Sequence, residues 1–415
     1  MTDNETIYPR LLEPVIREAL ADTPVVCVLG PRQAGKTTLV QRLAPERAYI
    51  SLDENNYFRT AVDDPDGFIS SLPDVVTLDE VQRAPAVLPA IKRAVDRDRR
   101  PGRFLLTGSA NLLFVPRVTE SLAGRMEIAQ LYPLTEVEKE RKPGRFLSAL
   151  LGGTLRPEIK GGTVTAETGL AERLVAGGYP EPLGRPPQRA RQWYRQYLRI
   201  IVERDVQDIA RVQDAQVLAR VLELLALRSA QLLNASALAS DLGLRRPTVD
   251  HYLAVLERLF LVRRLPAWHG NTAKRLVKTP KVYLLDSGLA SALCDLTAAD
   301  WLHHRDRMGP LLESFVVQQL VAQAAWTDPG LRFWHYRDAD QIEVDIVLTR
   351  GSKTWGVEVK AAASLTDGDG RGLKRLADRC GDDFQGGILL YAGQDILPLG
   401  DKRMLAVPLN ALWKR

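Results

Sequence analysis

Residues 24–38 read PVVCVLGPRQAGKTT, an apolar run, a glycine-containing turn, and then Lys-Thr-Thr. The run PVVCVL ends at Gly30, which is how a strand buried on both faces of a parallel sheet runs into a turn. The segment Gly30, Pro31, Arg32, Gln33, Ala34, Gly35, Lys36, Thr37, Thr38 follows the pattern GxxxxGK[ST], directly after that strand and directly before a helical stretch, Thr37 to Leu43. Glycines there let backbone N–H groups close around phosphates, and the helix N-terminus adds a partial positive charge. Lys36 is placed to reach the β- and γ-phosphates and Thr37 to ligate Mg²⁺. The expectation is an ATP site formed by residues 30–38.

Working outward, similar apolar runs recur at 48–52, 74–78, 103–107 and 126–131, with helical patterns between them such as Leu88 to Val95. This alternation predicts a parallel sheet covered on both faces. The run Val75 to Leu78 delivers Asp79 and Glu80 at its C-terminal end, where open α/β sheets bind ligands. Asp79 is expected to hold Mg²⁺ through water, and Glu80 to act as general base on the attacking water. The next strand ends in Thr107, Gly108, Ser109, Ala110 and Asn111. Thr107, Ser109 and Asn111 are all candidates to orient that water, and a helix cap is the plain alternative. Arg125 closes a helical segment, TESLAGR. It is read either as a finger acting in trans on the γ-phosphate of a neighbouring copy in a homo-oligomer, or as a surface arginine favoured by the helix dipole.

The chain has 415 residues, 45% hydrophobic and 26% charged, with a formal net charge of +5. That length implies several domains. The mild positive charge permits nucleic acid without demanding it. Cys27, Cys294 and Cys380 are odd in number and far apart, which excludes a disulfide framework or a metal knuckle and points to the cytoplasm. There is no apolar run of bilayer length, so no membrane role is expected. The expected organisation is a P-loop domain over 1–150, a linker and helical lid over 151–213, a winged-helix domain over 214–300, and a mixed α/β domain over 301–415.

In the third of these, Ala235 to Leu242 reads as a short helix with Asn234 as its cap, Gly243 as a turn, and Pro247 to Leu259 as a third helix. Two apolar strands then flank a basic tip, a winged helix-turn-helix pattern. Nine basic residues between Arg245 and Lys281 face only Asp250 and Glu257. Arg245, Arg246, Arg263, Arg264, Lys274 and Arg275 are therefore the expected DNA contacts, with a solvated basic face as the alternative.

In the last domain, Glu313 lies on a helical stretch, Asp345 on an alternating strand, and Glu358 and Lys360 on one face of the next strand. A turn at Arg350, Gly351 and Ser352 pairs the two strands. Asp345 and Glu358 are hard oxygen ligands suited to Mg²⁺ or Mn²⁺, and Lys360 would stabilise charge at a phosphodiester. Glu313 would add a ligand directly or through water.

The phrases GPRQAGKTTL, TLDEVQRAP, LLTGSANLL and ESLAGR, with AGGYPEPL, YLRIIVERDV, YLLDSGLASAL and LLESFVVQQL later on, resemble prokaryotic AAA+ ATPases of the AAA_14 type that carry a C-terminal DUF4143 domain. The acid, acid and lysine positions resemble the PD-(D/E)xK nuclease superfamily, although Val344 stands where that signature has proline. The resemblance implies a parallel-sheet P-loop AAA+ domain, a helical lid with winged helix, and a nuclease-like C-terminal domain. Pro180 is similar to a lid proline that packs on adenine in related signalling ATPases. Two functions follow: an ATPase coupled to a Mg²⁺-dependent DNA nuclease, with RNA as the other substrate, or an ATP-dependent switch binding DNA or protein through a catalytically silent nuclease-like scaffold.

Overall fold

The computed structural model describes residues 7–109, 122–160, 169–205, 214–270 and 279–414. Strand β1 (Val25–Leu29) lies inside a five-stranded parallel sheet with β2 (Ala48–Ser51), β3 (Val76–Asp79), β4 (Phe104–Gly108) and β5 (Met126–Gln130), in the order β2-β3-β4-β1-β5. Every residue of β1 is buried. The reason is the two helical layers. Val26 and Val28 pack with Leu12, Ile16, Leu39 and Leu43 from α1 (Glu13–Asp22), the residue before it, and α2 (Lys36–Leu43). Val25, Cys27 and Leu29 share the opposite layer with Val87, Leu88, Ile91 and Val95 of α5 (Val87–Arg97). Burying such side chains contributes about 1.5–3 kcal/mol each, which is why a continuous apolar run was the visible signal. Two further helices, α3 (Asn55–Asp63) and α4 (Pro65–Ser71), follow β2.

Beyond the sheet the chain turns helical, with Leu170–Ala176 and Pro187–Ile200 and then Ala215–Leu227, Ala235–Asp241 and Arg246–Arg258. Asn234 caps the fourth of these by accepting the Ala237 N–H at 2.9 Å. An antiparallel pair follows, β6 (Val262–Leu265) and β7 (Lys281–Leu284). The stretch expected as a free linker is partly anchored: Glu158 forms an antiparallel bridge with Ile396, far along the chain.

The helix Arg305–Thr327 is buried along much of its length, including Leu312, Phe315, Val316 and Leu320. Its buried glutamines reach three regions. Gln318 Nε2 donates to Asp286 Oδ2 at 3.1 Å, Gln319 Oε1 accepts the Glu136 N–H at 2.8 Å, and Gln323 Nε2 donates to the Leu412 carbonyl at 3.1 Å. Against this helix sits a six-stranded mixed sheet of β8 (Arg332–Arg337), β9 (Glu343–Arg350), β10 (Lys353–Lys360), β11 (Phe384–Tyr391), β12 (Leu397–Pro398) and β13 (Met404–Pro408), ordered β12-β13-β11-β10-β9-β8. The two residues Gly351 and Ser352 connect β9 to β10, with Gly351 in the left-handed region at φ +61°. Among the described residues no helix is long and apolar enough to cross a membrane.

Candidate functional site

The loop leaving β1 is shaped by close packing. A Cβ at Gly30 would lie 2.1 Å from the Leu131 carbonyl oxygen, so the chain passes there only as glycine. Gln33 and Gly35 take left-handed backbone at φ +61° and +94°, and such alternation turns successive N–H groups toward one point. Lys36 is buried and donates from Nζ to the Gly30 and Pro31 carbonyls, each at 3.0 Å. Arg10 clamps the loop from outside. Its Nη1 donates to the Ala34 carbonyl and its Nη2 to the Tyr132 carbonyl, both at 2.6 Å, while its Nε pairs with Glu138 at 3.1 Å.

Thr37 Oγ1 stands 3.3 Å from Asp79 Oδ2, the pairing expected of two hard oxygen donors that share a Mg²⁺ shell. Asp79 also accepts from the Tyr49 hydroxyl at 2.6 Å and from the Thr107 hydroxyl. Burial first, and then the Asp79 carboxylate, push the Tyr49 phenol well above its usual range. Glu80 holds left-handed backbone at φ +59°, an uncommon conformation for a residue with a side chain. Its N–H donates to Thr107 Oγ1 at 3.1 Å, and its carboxylate accepts from Ser109 Oγ at 2.9 Å and from the Gln82 amide. Thr107 thus serves Asp79, and Ser109 serves Glu80. Asn111, the third candidate, lies outside the described residues. Gln82, which also donates to Ser109 Oγ at 2.8 Å, was not singled out from sequence, although it stands two positions after Glu80.

Beside the loop, Tyr8, Arg10, Gly35, Thr38, Leu134 and Pro180 line a cavity of about 160 Å³. Pro180 therefore comes to the P-loop from the GGYP segment. The N-terminal wall, Tyr8 and Arg10, carries no motif and was missed in the sequence.

Arg125 lies at the other edge of the sheet. Its carbonyl accepts the N–H of Val25, the first residue of β1, at 3.2 Å. Five strand residues, roughly 16 Å, separate that edge from the phosphate loop. Its guanidinium pairs with Asp96. Arg125 does not reach its own P-loop.

The expected DNA-contact set divides. Arg245 and Arg246 are exposed at the start of the helix Arg246–Arg258. Arg263 turns inward instead: its Nη2 donates to the Tyr132 hydroxyl at 2.8 Å, and the guanidinium lies over that ring. Arg264 is held by Glu257, with Nε at 2.9 Å from Oε1. These two were expected to be free because the sequence gives their charge but not their partners. Lys274 and Arg275 lie outside the described residues.

At the C-terminal sheet, Glu313 from the helix Arg305–Thr327 and Asp345 from β9 come together around an internal cation, with Glu358 on β10 engaged elsewhere. Lys281 Nζ, from β7, lies 3.0 Å from Glu313 Oε1, 3.6 Å from Asp345 Oδ1 and 3.7 Å from Glu343 Oε2, and its side chain is only 5% exposed. Burial pulls the ammonium down in pKa, but Glu313 and Asp345 outweigh it and leave Lys281 above its ordinary value. Tyr283 adds a 2.6 Å hydrogen bond to Glu313 Oε1, and Asp345 Oδ2 accepts the Val359 N–H at 2.9 Å. Glu358 Oε1 accepts the Leu373 N–H at 2.9 Å, at the start of the helix Arg371–Cys380. A Cβ on Gly372 would fall 2.4 Å from that oxygen. Burial, then Asp345, raise Glu358 to about 7. Burial and the Asp345 charge raise Glu313 too. Lys360 is drawn away to Asp369, at 2.5 Å.

No metal centre is shown at the expected ligands Asp345 and Glu358, with Glu313: a lysine supplies the positive charge between Glu313 and Asp345, and Oε1 of Glu358 takes a helix-start N–H. Among the described residues no group of three His, Cys, Asp or Glu is disposed to hold a metal ion.

Comparison with known proteins locates three families along the chain. The model described as AAA domain (AAA_14) matches residues 22–139. The domains of unknown function DUF8612 and DUF4143 match 167–300 and 308–412. The chain is 31% identical over 404 residues to the uncharacterized protein Rv2008c of Mycobacterium tuberculosis, spanning 96% of this chain and 82% of that protein. The same figures hold for the uncharacterized protein Mb2031c of Mycobacterium bovis. Among solved structures, the Walker-type ATPase PABY2304 of Pyrococcus abyssi is similar at 16% identity and a TM-score of 0.40, over 71% of this chain and 97% of that one. AMPPCP-bound DnaA from Aquifex aeolicus is similar at 16% identity and a TM-score of 0.26, over 60% and 87%.

Proposed function

The chain belongs to the family of Rv2008c and Mb2031c, with a P-loop ATPase domain of the AAA type followed by a DUF4143 domain, and from that premise we propose that it is an ATP-hydrolysing switch. In this reading a winged helix contacts DNA, and the C-terminal domain is a scaffold. The observation that carries it is the phosphate loop joined to the strand-end acids: Thr37 Oγ1 at 3.3 Å from Asp79, with Glu80 held beside it by Ser109 at 2.9 Å.

The Lys36 ammonium contacts the β- and γ-phosphates of ATP, reinforced by the N–H groups of residues 33–37. Thr37 and Asp79 are the residues that would hold Mg²⁺, which supplies charge neutralisation at the phosphate oxygens. Glu80 takes a proton from the water as its oxygen bonds to the γ-phosphorus and ADP departs, and Ser109 and Gln82 keep that carboxylate aimed. Thr107 holds Asp79 so that Tyr49 and Thr107 share its remaining lone pairs. Arg125 would complete a neighbouring copy's site, in trans. Arg245 and Arg246, both exposed, would meet the DNA phosphates, Arg246 leaving its exposed 3.7 Å pairing with Asp250 to do so.

Lys281 favours the scaffold over the nuclease. Its buried ammonium is paired with Glu313 and Asp345, so one of the two carboxylates expected to ligate a nuclease metal already faces an internal cation. Two assays test the proposal. ATP turnover should be lost in Lys36→Ala, and retention at the wild-type rate would refute the site. Incubation with linear, plasmid or RNA substrates and Mg²⁺ or Mn²⁺, with and without ATP, should leave them intact. Cleavage that disappears in Asp345→Ala would overturn the scaffold role.

A further inference from the structure

Resting on the ATPase reading, we propose that Tyr197 is a positioning residue of the phosphate loop. Its hydroxyl fixes the Arg32–Gln33 peptide with the N–H turned to the phosphates, and it joins that loop to the helix Pro187–Ile200.

The Tyr197 hydroxyl donates to the Arg32 carbonyl at 3.0 Å, across 165 positions of sequence. It also lies 3.2 Å from the Tyr179 hydroxyl. A phenol has one proton. Because Tyr197 spends its own on Arg32, Tyr179 must donate to Tyr197, giving a chain from Tyr179 through Tyr197 to Arg32. Each link polarises the next. Tyr179 is fully buried, so its hydroxyl has a strong requirement for that acceptor. Packing fixes the geometry. Trp193 stacks on Tyr197 with centroids 5.1 Å apart and an interplanar angle of 14°, and Tyr179 lies 5.0 Å from Tyr197.

The consequence follows from peptide planarity. In a trans peptide the C=O of one residue and the N–H of the next point in opposite directions. Pulling the Arg32 carbonyl outward therefore turns the Gln33 N–H toward the concave side of the loop. Arg10 does the same to the Ala34 carbonyl, at 2.6 Å, and so to the Gly35 N–H. A peptide free to flip would present a carbonyl oxygen to a phosphate, the worst arrangement electrostatically. The Tyr197 hydroxyl removes that alternative, and it does so from the GGYP-to-helix region that also brings Pro180 to the site.

The test compares wild type, Tyr197→Phe, Tyr179→Phe and the double variant for MgATP and MgADP affinity, ATP turnover and thermal midpoint, with Lys36→Ala as the non-binding control. Tyr197→Phe keeps the ring stacking and removes the donor, so the Kd for both nucleotides should rise about 5- to 10-fold, with kcat at saturation within about twofold of wild type. It also strands the Tyr179 hydroxyl and lowers the thermal midpoint. The double variant removes that stranded group, so its midpoint recovers while its Kd stays raised. Tyr179→Phe alone leaves the Arg32 bond and should shift Kd less than about threefold. A Kd change under about threefold in Tyr197→Phe, or a Kd that recovers together with the midpoint in the double variant, overturns the proposal. Absence of ATP binding in wild type sinks the ATPase reading and this one with it. Wild-type binding with an unaffected Tyr197→Phe sinks this one only.

Discussion

Replacing Lys281 by methionine keeps most of the side-chain volume and deletes one buried charge. The ammonium faces Glu313 at 3.0 Å, Asp345 at 3.6 Å and Glu343 at 3.7 Å. Its loss leaves two deeply set carboxylates facing each other without a counter-charge. Breaking one side of a buried pair costs about 3–5 kcal/mol. Protonation limits this, because Glu313 already sits high through burial and the Asp345 charge, and it takes up a proton once the lysine is gone. The expected loss is about 3 kcal/mol near pH 8. It shrinks to about 1 kcal/mol near pH 5, where the carboxyls protonate in the variant. Urea unfolding followed by tryptophan fluorescence reports it, since Trp334 and Trp355 lie on the same sheet. The slope, roughly 1–3 kcal/mol per molar for small proteins, rises with the surface exposed, so for a 415-residue chain the midpoint should fall by up to about 1 M at the higher pH. Lys281→Met combined with Glu313→Gln should recover most of the loss. A Lys281→Met protein within about 1 kcal/mol of wild type near pH 8, or one whose loss is independent of pH, would refute the idea that this ammonium is the internal counter-ion.

Three further outcomes are expected. Glu80→Gln should bind ATP as wild type does but hydrolyse it about 10²–10⁴-fold more slowly, and single-turnover kinetics at wild-type speed would exclude it as the base. Arg125→Ala should bind ATP normally and lose turnover by on the order of 10³-fold, with wild-type turnover per chain rising with protein concentration; turnover independent of concentration argues against a trans role. Glu358, raised to about 7 from an ordinary 4.5, binds its proton more tightly folded than unfolded, so its contribution is fully present below about pH 4.5 and is lost as pH climbs to about 7. Glu358→Gln should flatten that decline by up to about 3 kcal/mol, and an equally steep pH profile in the variant would show that the acid titrates normally.

Much of the ATPase half was legible because it is written locally. A strand, a loop and a helix start lie within residues 24–43, and backbone geometry fixes what Gly30, Lys36 and Thr37 can do. The assignment of partners among the small polar groups after β4 was not legible. Thr107 and Ser109 are two residues apart and chemically alike, and only the position of β3 beside β4 gives one to Asp79 and the other to Glu80. Arg10 and Tyr197 were invisible for a related reason. They act on carbonyl oxygens of the loop, and a backbone acceptor leaves no pattern in side-chain identity.

The C-terminal acids show the same division more sharply. Alternation along β9 and β10 placed Asp345 and Glu358 near each other, since period-two geometry is a local property of a strand. What stands between the acids is decided by long-range packing: Lys281 arrives from β7, 64 positions before Asp345 in the chain, and the Leu373 N–H takes Glu358. The sequence by itself determined the order of elements, the phosphate loop and the two acids that follow it, because each is set by neighbours within a few residues. Tertiary structure alone decided which charges are engaged and which remain available, as with Arg263 held by Tyr132 and Lys281 paired with Glu313. The physical reason is that a charge's role depends on what lies within about 4 Å of it in space, and chain separation carries no information about that distance.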